Sequence, residues 1–431
     1  MDIAICTLGC KVNQAETRAM ERELLGRGHR LVDFDGPADA YIINTCTVTA
    51  VSDKKCRNII RRARRAAPDG VVAVCGCYAQ TDPEAVGALG ADLVSGSAGR
   101  MAFLDRLEEL LRARGEQVIA VDSAMLRREF ERLPAGEMEG RTRAMLKVED
   151  GCVNFCSYCI IPYARGPVRS LPLAEAAAEA RRLAAEGCRE VVLTGIEISS
   201  WGRDLNTGEG LMDLIEAVCA AAPGLRVRLG SLEPRTITED FCRRAAALPN
   251  LCPHFHLSLQ SGCDATLARM NRKYDTSRYY ESVKLLRDHF QDPGITTDLI
   301  TGFPGETEEE FAQTLAFVEK CAFTAMHVFP YSRRPGTPAA DMPGQVPKGE
   351  KEDRARRAIA LGEELERRWL ERQAGRVLPV LFEEEKGGLW QGHAPGYALV
   401  RAQGENLHNR LLEVKITGVE GSALTGTVMG G

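Results

Sequence analysis

Three cysteines in one short run, Cys152-Val-Asn-Phe-Cys156-Ser-Tyr-Cys159, constrain this chain more than any other feature. Thiolates at CxxxCxxC spacing can hold three irons of a 4Fe-4S cluster and leave the fourth iron unligated. Electron-transfer clusters are closed by four cysteines. Structural zinc sites are closed by four ligands, typically two CxxC knuckles or one with a pair of histidines. Neither completion lies nearby: the next cysteine is Cys188, and no HxxxH follows. An open iron is a place for a substrate or cofactor to bind.

The rest of the composition narrows the setting. A chain of 431 residues, 44% of them hydrophobic, can bury sizeable cores and suggests two or three domains. Fifteen cysteines, an odd number scattered through a long chain, fit thiols and clusters in a reducing compartment better than a disulfide framework. The start of the chain lacks a basic, apolar leader, and no apolar stretch reaches the ~20 residues of a membrane span, so a cytoplasmic protein without membrane contact is expected. A net charge of -5 argues against nucleic-acid binding through overall basicity, but a local patch can still do it. Between Lys54 and Arg65 seven basic residues interleave with Ile59, Ile60 and Ala63 at helical spacing. That segment is either a solvated helix face or a phosphate-contacting one.

Hydrophobic periodicity divides the chain into an α/β protein of three parts. In residues 1–120, strands at Ile3–Leu8, Ala40–Asn44, Val71–Val74 and Asp92–Val94 alternate with helices at Glu16–Arg27, Ser52–Ala67 and Met101–Arg114, which reads as a parallel-sheet domain. Residues 121–143 are a charged connector. Residues 144–374 repeat the alternation six times, with strands at Ala144–Val148, Glu190–Thr194, Arg226–Ser231, His254–Leu259, Gly294–Ile300 and Ala325–Pro330, the pattern of a partial (βα)6 barrel. Residues 375–431 hold the short strands Val377–Phe382, Tyr397–Val400, Leu411–Ile416 and Leu424–Met429 between Gly-rich turns, which reads as a small antiparallel β-barrel.

Ligands of open α/β sheets sit beyond the carboxyl ends of the strands. Three cysteines of the first part fall there: Cys10, Cys46 and Cys77, each expected beside a helix start, where backbone N–H groups favour a cluster's negative charge. Cys6, Cys56 and Cys75 read as small buried residues. Cys75 and Cys77 fall on the same side of an extended segment, and Cys77 is preferred as the one nearer the strand's end. In the barrel the CxxxCxxC loop follows the first strand, and Thr194-Gly195-Ile196-Glu197 the second.

At this point the chain resembles the radical S-adenosylmethionine (SAM) methylthiotransferases over essentially its whole length. The aromatic Tyr158 before Cys159 matches the CxxxCxΦC loop of radical SAM enzymes. Thr7-Leu-Gly-Cys-Lys-Val-Asn-Gln14, Asn44-Thr-Cys-Thr-Val48, Cys156-Ser-Tyr-Cys-Ile-Ile-Pro-Tyr-Ala-Arg-Gly166 and Phe329-Pro-Tyr-Ser-Arg-Arg-Pro-Gly-Thr337 look most like the branch acting on N6-threonylcarbamoyladenosine in tRNA. The resemblance implies two 4Fe-4S clusters, SAM as cofactor, tRNA as partner, an electron donor of flavodoxin or ferredoxin type, and a C-terminal TRAM domain. It implies that Cys152, Cys156 and Cys159 ligate the cluster that cleaves SAM, and that Cys10, Cys46 and Cys77 ligate the one that supplies the methylated sulfur to C2 of the adenine.

Other positions are expectations of smaller reach. Glu197, with Gly195 before it, occupies the place where related barrels bind the SAM amino group, although Thr-Gly-Ile-Glu is not their usual Gly-Gly-Glu. Asp298 shares a strand face with Thr296 and Ile300; a buried carboxylate there needs a partner, either a cofactor or substrate hydroxyl or a structural salt bridge. His254 and His256 alternate with Ser258 and Gln260 as a polar barrel lining. Arg333 and Arg334 fall where a cation could meet the carboxylate of the substrate, or stand as surface arginines. Rival readings are the same chemistry on isopentenyladenosine tRNA or a ribosomal protein, and a non-catalytic iron-sulfur RNA-binding sensor.

Overall fold

The computed structural model describes residues 1–113, 115–136 and 140–430. The last residue of the expected Met101–Arg114 helix and residues 137–139 of the expected connector lie outside them. Strands β1 (Asp2–Thr7), β2 (Arg30–Val32), β3 (Ala40–Thr45), β4 (Val71–Gly76), β5 (Leu93–Ser95) and β6 (Val118–Ala120) form one sheet in the order β2-β1-β3-β4-β5-β6. Every pairing in it is parallel. Strands β3 and β4 are buried along their whole length, as continuous apolar runs covered on both faces should be. The edge strands β2 and β6 carry only three residues each, too few for a periodic signal, and local pattern offers no hint of them. The strand order reverses between β1 and β3, and such a switch point opens a crevice for ligands.

The helices of this part are α1 (Lys11–Gly26), α2 (Ala50–Ala66), α3 (Cys77–Thr81), α4 (Pro83–Gly87) and α5 (Arg100–Arg112). Helix α1 starts five residues ahead of expectation because Cys10, in an extended conformation, is its N-cap. Thr49 caps α2 by accepting from the Ser52 N–H.

The second alternation forms an open barrel. Strands β7 (Arg143–Lys147), β10 (Glu190–Thr194) and β11 (Arg226–Leu229) make one parallel wall, and β12 (Ser231–Leu232), β13 (His254–Leu257), β14 (Gly294–Thr301) and β15 (Ala325–Pro330) the other. The expected strand Arg226–Ser231 is split at Gly230, and a bridge between Val227 and Leu251 ties the walls together. A two-stranded ladder of β8 (Glu149–Asp150) and β9 (Arg169–Ser170) clasps the base of the cysteine loop, which continues into the one-turn helix α6 (Ile161–Arg165). The barrel and its outer helices share one hydrophobic core, from Leu146 and Val191 through Phe255 and Leu299 to Phe311. Helix α1 lies against β7, one of the two strands at the barrel's open seam.

Strands β16 (Val377–Lys386), β17 (Leu389–His393), β18 (Leu399–Gln403), β19 (Leu411–Glu420) and β20 (Ala423–Val428) close into a small barrel. The expected all-antiparallel barrel is corrected: β18 and β20 pair in parallel, because the β19–β20 hairpin returns its second strand beside β18. This barrel packs on the amino ends of the larger barrel's strands. There Arg226 and Arg228 bracket the buried Glu190 and donate onward to the carbonyls of Pro379 and Pro395. Among the described residues no helix is long and apolar enough to cross a membrane.

Candidate active site between the sheet and the barrel

Cys10, Cys46 and Cys77 converge at the switch point. Cys10 caps α1 after β1, Cys46 follows β3 directly, and Cys77 opens α3 after β4. Gly9 shows how closely the first two loops approach: at φ +106° it lies in glycine's region, and a Cβ there would come within 2.8 Å of the Cys46 sulfur. Cys46 itself stands four residues before α2, so the expectation that each cysteine adjoins a helix start fails for it. The buried Cys56 thiol on α2 donates to the Cys46 carbonyl at 3.3 Å, a supporting contact.

The structure also separates Cys75 from Cys77. They do not share a side of an extended segment, because the strand ends at Gly76, whose φ of +101° turns the chain into α3. Cys75 packs among Ile3, Ile42 and Leu93 in the sheet's core, whereas Cys77 faces Cys10 and Cys46. Burial pushes the Cys77 thiol up to about 12, with the neighbouring cysteines adding to the effect against the opposing pull of Arg165.

Beyond Gly151, at φ +92°, the second triad occupies the loop after β8. Its middle is pinned from outside: the Ser157 N–H donates to the Met270 carbonyl at 3.0 Å and its hydroxyl to that of Arg269 at 2.8 Å. Tyr158 packs edge-to-face on Phe303, with ring centroids 6.5 Å apart. Burial pushes the Cys152 and Cys159 thiols up to about 12. Helix α3, which Cys77 opens, packs against α6 just beyond Cys159, and Arg165 of α6 reaches Cys77 Sγ at 3.2 Å, so the two triads look onto one space.

These donor sets fit iron-sulfur clusters. Among the described residues no three Cys, His, Asp or Glu side chains gather tightly enough for a single metal ion, histidines included. A cluster held there would take one thiolate on each of three irons and would supply the positive charge that buried thiols need to ionise. Each triad also receives one arginine. Arg165 Nε donates to Cys77 Sγ at 3.2 Å, and Arg272 Nη1 to Cys156 Sγ at 3.3 Å.

The first of these arginines stands in a buried ionic network that joins the sheet to the barrel. Glu16 on α1 meets Arg100 at 2.7 Å, Lys147 at 2.7 Å and Arg165 at 2.5 Å, and Asp150 meets Lys147 at 2.8 Å and Arg169 at 3.2 Å. Against the penalty of burial, Arg100, Arg165 and Lys147 hold the Glu16 carboxyl well below the usual range. Nothing in local periodicity marks these residues, because their partners lie in distant segments.

Carboxyls of a second kind border the triad at Cys152. The Glu197 N–H donates to Glu149 Oε2 at 2.8 Å, while Oε1 of Glu149 is buried without a hydrogen bond. Burial raises the Glu149 carboxyl well above its ordinary value. Glu197 accepts from the Ser199 N–H at 3.1 Å and the Ser200 hydroxyl at 2.6 Å, is likewise raised by burial, and is among the charges felt by Cys152. Gly195 leaves the room: a Cβ there would stand 2.5 Å from Glu149 Oε2. Glu149 is a buried carboxyl at the site that sequence reasoning missed, although its place three residues before Cys152 was visible.

The remaining expectations divide. His254 and His256 do line the barrel, through hydrogen bonds to the Thr296 hydroxyl at 3.3 Å and 3.0 Å. Asp298 is not buried; it is partly exposed and faces His256 Nε2 at 3.4 Å. Arg334 is corrected: it is buried against Asp53 and Thr47, clamping the loop after β15 onto α2, and is no free cation for a substrate. Arg333 is exposed, with Nε on the Ala340 carbonyl at 2.7 Å and Nη2 3.9 Å from the exposed Asp341 carboxylate. On α2, Arg62 and Arg64 are paired with Asp35 and Asp92, while Lys54, Lys55, Arg61 and Arg65 are exposed and in no ion pair among the described residues.

Comparison with known proteins agrees with this geometry. Residues 146–318 match the Radical SAM superfamily and residues 2–96 an uncharacterized protein family, UPF0004. The chain is 38% identical to threonylcarbamoyladenosine tRNA methylthiotransferase MtaB of Bacillus subtilis, over 96% of this chain and 93% of the relative. It is 34% identical to the protein of the same name in Aquifex aeolicus, over 96% of this chain and all of the relative. It is also 35% identical to tRNA-2-methylthio-N(6)-dimethylallyladenosine synthase of Syntrophotalea carbinolica, over 95% of this chain and 96% of the relative. In fold it is similar to the radical SAM methyltransferase TsrM of Kitasatospora setae, at TM-score 0.59 and 18% identity over 79% of this chain and 75% of that one. Family membership carries SAM and 4Fe-4S clusters as cofactors and makes the protein an enzyme, a transferase. From two cysteine triads set face to face, and from relatives matched along nearly their whole length, the chain belongs to the radical SAM methylthiotransferase family.

Proposed function

We propose that the protein methylthiolates C2 of N6-threonylcarbamoyladenosine in tRNA, in the cytoplasm, with electrons from a flavodoxin- or ferredoxin-type donor. The observation that carries the reading is the facing of the two triads: α3, opened by Cys77 in the sheet part, packs against α6, which follows Cys159 in the barrel loop, and Arg165 of α6 donates to Cys77 Sγ at 3.2 Å. We assign Cys152, Cys156 and Cys159 to the SAM-cleaving cluster and Cys10, Cys46 and Cys77 to the sulfur-supplying one. Residues 1–120, 144–374 and 375–431 are taken as the three domains, joined by the connector 121–143. The clusters supply one-electron reduction of SAM and a sulfur source, which an unactivated aromatic C–H requires.

The chain's own residues bind and orient. Glu197, its carboxyl raised by burial, is placed to meet the ammonium of SAM, and Glu149 accepts from the Glu197 N–H and so holds its backbone. Tyr158 and Phe303 wall the loop and exclude water. Phe155 and Tyr163, edge-to-face at 5.8 Å and 37% and 45% exposed, offer stacking surface to an unstacked base beside the cysteine loop. Arg333, exposed and in a long, solvent-exposed contact with Asp341 at 3.9 Å, is the cation offered to the substrate carboxylate in place of the buried Arg334.

The test is incubation of the reconstituted enzyme, SAM and a reductant with tRNA bearing either threonylcarbamoyladenosine or isopentenyladenosine, followed by nucleoside mass spectrometry. Product on the first alone is expected, with a loss specific to that substrate in Arg333→Ala. Product on the isopentenylated tRNA alone overturns the substrate and leaves the radical mechanism standing.

A further inference from the structure

Two arginines in unlike surroundings make the same contact. Arg165 and Arg272 each direct one N–H at the sulfur of one cysteine, Cys77 and Cys156, at 3.2 Å and 3.3 Å. Neither comes from the loops of the triad it contacts: Arg165 closes α6, six residues beyond Cys159, yet reaches the triad of the other part, and Arg272 comes from the loop before the helix Thr276–His289. Arg165 is fully buried, with Glu16 at 2.5 Å, Asn13 Oδ1 at 2.6 Å and Asp150 at 3.5 Å. Its network still has a surplus of positive charge, since among the described residues the side chains of Arg100, Lys147, Arg165 and Arg169 are ion-paired only with Glu16 and Asp150. Glu131, the next carboxylate, is held on the Arg100 backbone. Arg272 has no carboxylate in ion-pair range among the described residues; its other partners are the Tyr274 hydroxyl at 2.9 Å and the Ser258 carbonyl at 3.1 Å, with the Tyr274 ring beneath it at 4.8 Å. A guanidinium so placed wants an anion, and the sulfur of Cys156 is the one within reach.

We propose that Arg165 and Arg272 are positioning residues that set the reduction potentials of the two clusters, each for its own cluster, by donating a charge-assisted hydrogen bond to one ligating sulfur. This rests on the assignment of the two triads as cluster sites. A reduced cluster carries one more negative charge than an oxidised one, so an N–H and a positive charge at a ligating sulfur favour the reduced form and raise the potential. Arg272, uncompensated by any carboxylate, has the larger effect. Arg165 has the smaller one, because Glu16 and Asp150 offset part of its charge.

Potentiometric EPR on the full reconstituted chain decides it, with each signal assigned by replacing one triad with Ala. In Arg272→Gln the signal of the Cys152 triad moves to lower potential by at least a tenfold change in the ratio of reduced to oxidised cluster, 59 mV for a one-electron couple, while the other signal stays. In Arg165→Gln the reverse holds, with a smaller shift. Arg→Lys variants, which keep the charge, shift less and serve where a Gln variant does not fold. Arg100→Lys perturbs the same network without touching a cysteine and moves neither potential. Shifts of both signals together, or of neither, overturn the proposal. A wild-type chain that binds only one cluster fails the underlying assignment instead, and iron analysis, expected at about eight irons for two 4Fe-4S clusters, shows that before any variant is compared.

Discussion

The two cysteine triads pose the same chemical problem and solve it with opposite sequence logic. One lies within eight residues of a single loop, so its spacing alone states the ligand geometry. The other is spread from Cys10 to Cys77 and exists only because three parallel strands end side by side. Their surroundings differ as well: the spread triad is braced by a buried network of charges on Glu16 and Asp150, the compact one by Tyr158, Phe303 and the carboxyls of Glu149 and Glu197. A local motif needs only a loop held at both ends. A dispersed site needs the whole sheet, and so the forces that dock the sheet onto the barrel also assemble the site.

The largest expected effect removes one side of the comparison. Replacing Cys152, Cys156 and Cys159 with Ala abolishes SAM cleavage and halves the iron bound, as read by 5′-deoxyadenosine release and iron analysis. Undiminished iron means that the loop holds no cluster. On the other side, Cys77→Ala eliminates methylthio product while SAM cleavage persists. Cys75→Ala leaves both activities and lowers stability by about 1 kcal/mol or a little more for the lost buried sulfur, measured by denaturant unfolding. A reversed pattern for this pair would transfer the ligand role to Cys75.

That contrast also explains what could be read in advance. The compact loop and the six-fold alternation of strand and helix were legible because each signal is local: spacing in the first case, hydrophobic period in the second. The gathering of Cys10, Cys46 and Cys77 was legible only through the rule that ligands sit beyond strand ends, which needs a topology first. Arg165 and Glu16 were not legible at all, since a charged residue on a helix looks the same in sequence whether it faces solvent or a partner 149 residues away. Arg334 misled for the same reason: its burial depends on Asp53, across the interface between sheet and barrel. Edge strands β2 and β6, and the parallel β18–β20 pair, were set by tertiary closure and not by local pattern.

Helix α2 sharpens the comparison at the surface, since it leads directly from the Cys46 loop. Changing Lys54, Arg61 and Arg65 to Gln is expected to weaken tRNA binding and flatten its salt dependence. Every phosphate left without its cation takes about 0.7–0.9 off the log-log slope. Changing the paired Arg62 and Arg64 has less effect on the slope, because their charges are already engaged by Asp35 and Asp92. Binding isotherms at several salt concentrations measure it, and an unaltered slope in the first variant returns α2 to a merely solvated face.

The smallest effect concerns the carboxyl beneath the compact triad. Burial raises Glu149 above its ordinary value of 4.5 in the folded chain, so the folded state holds a proton that the unfolded state has released. The stability tied to that proton is complete below the unfolded value and is lost as pH rises through the folded one. The cluster-free protein should therefore become less stable from about pH 5 upward, and Glu149→Gln should remove part of that slope. Glutamine keeps an oxygen for the Glu197 N–H and carries no charge to bury. Its advantage over glutamate should grow by at most about 1.4 kcal/mol for each pH unit climbed within that window. Asp150, held down to about 2 by Lys147, Arg165 and Arg169 against its burial, titrates below this window and does not confuse the readout. Thermal melts of the cluster-free wild type and variant between about pH 5 and pH 8 make the measurement. Parallel curves would mean that Glu149 is ionised in the folded chain, and the braces of the two triads would then be charged alike.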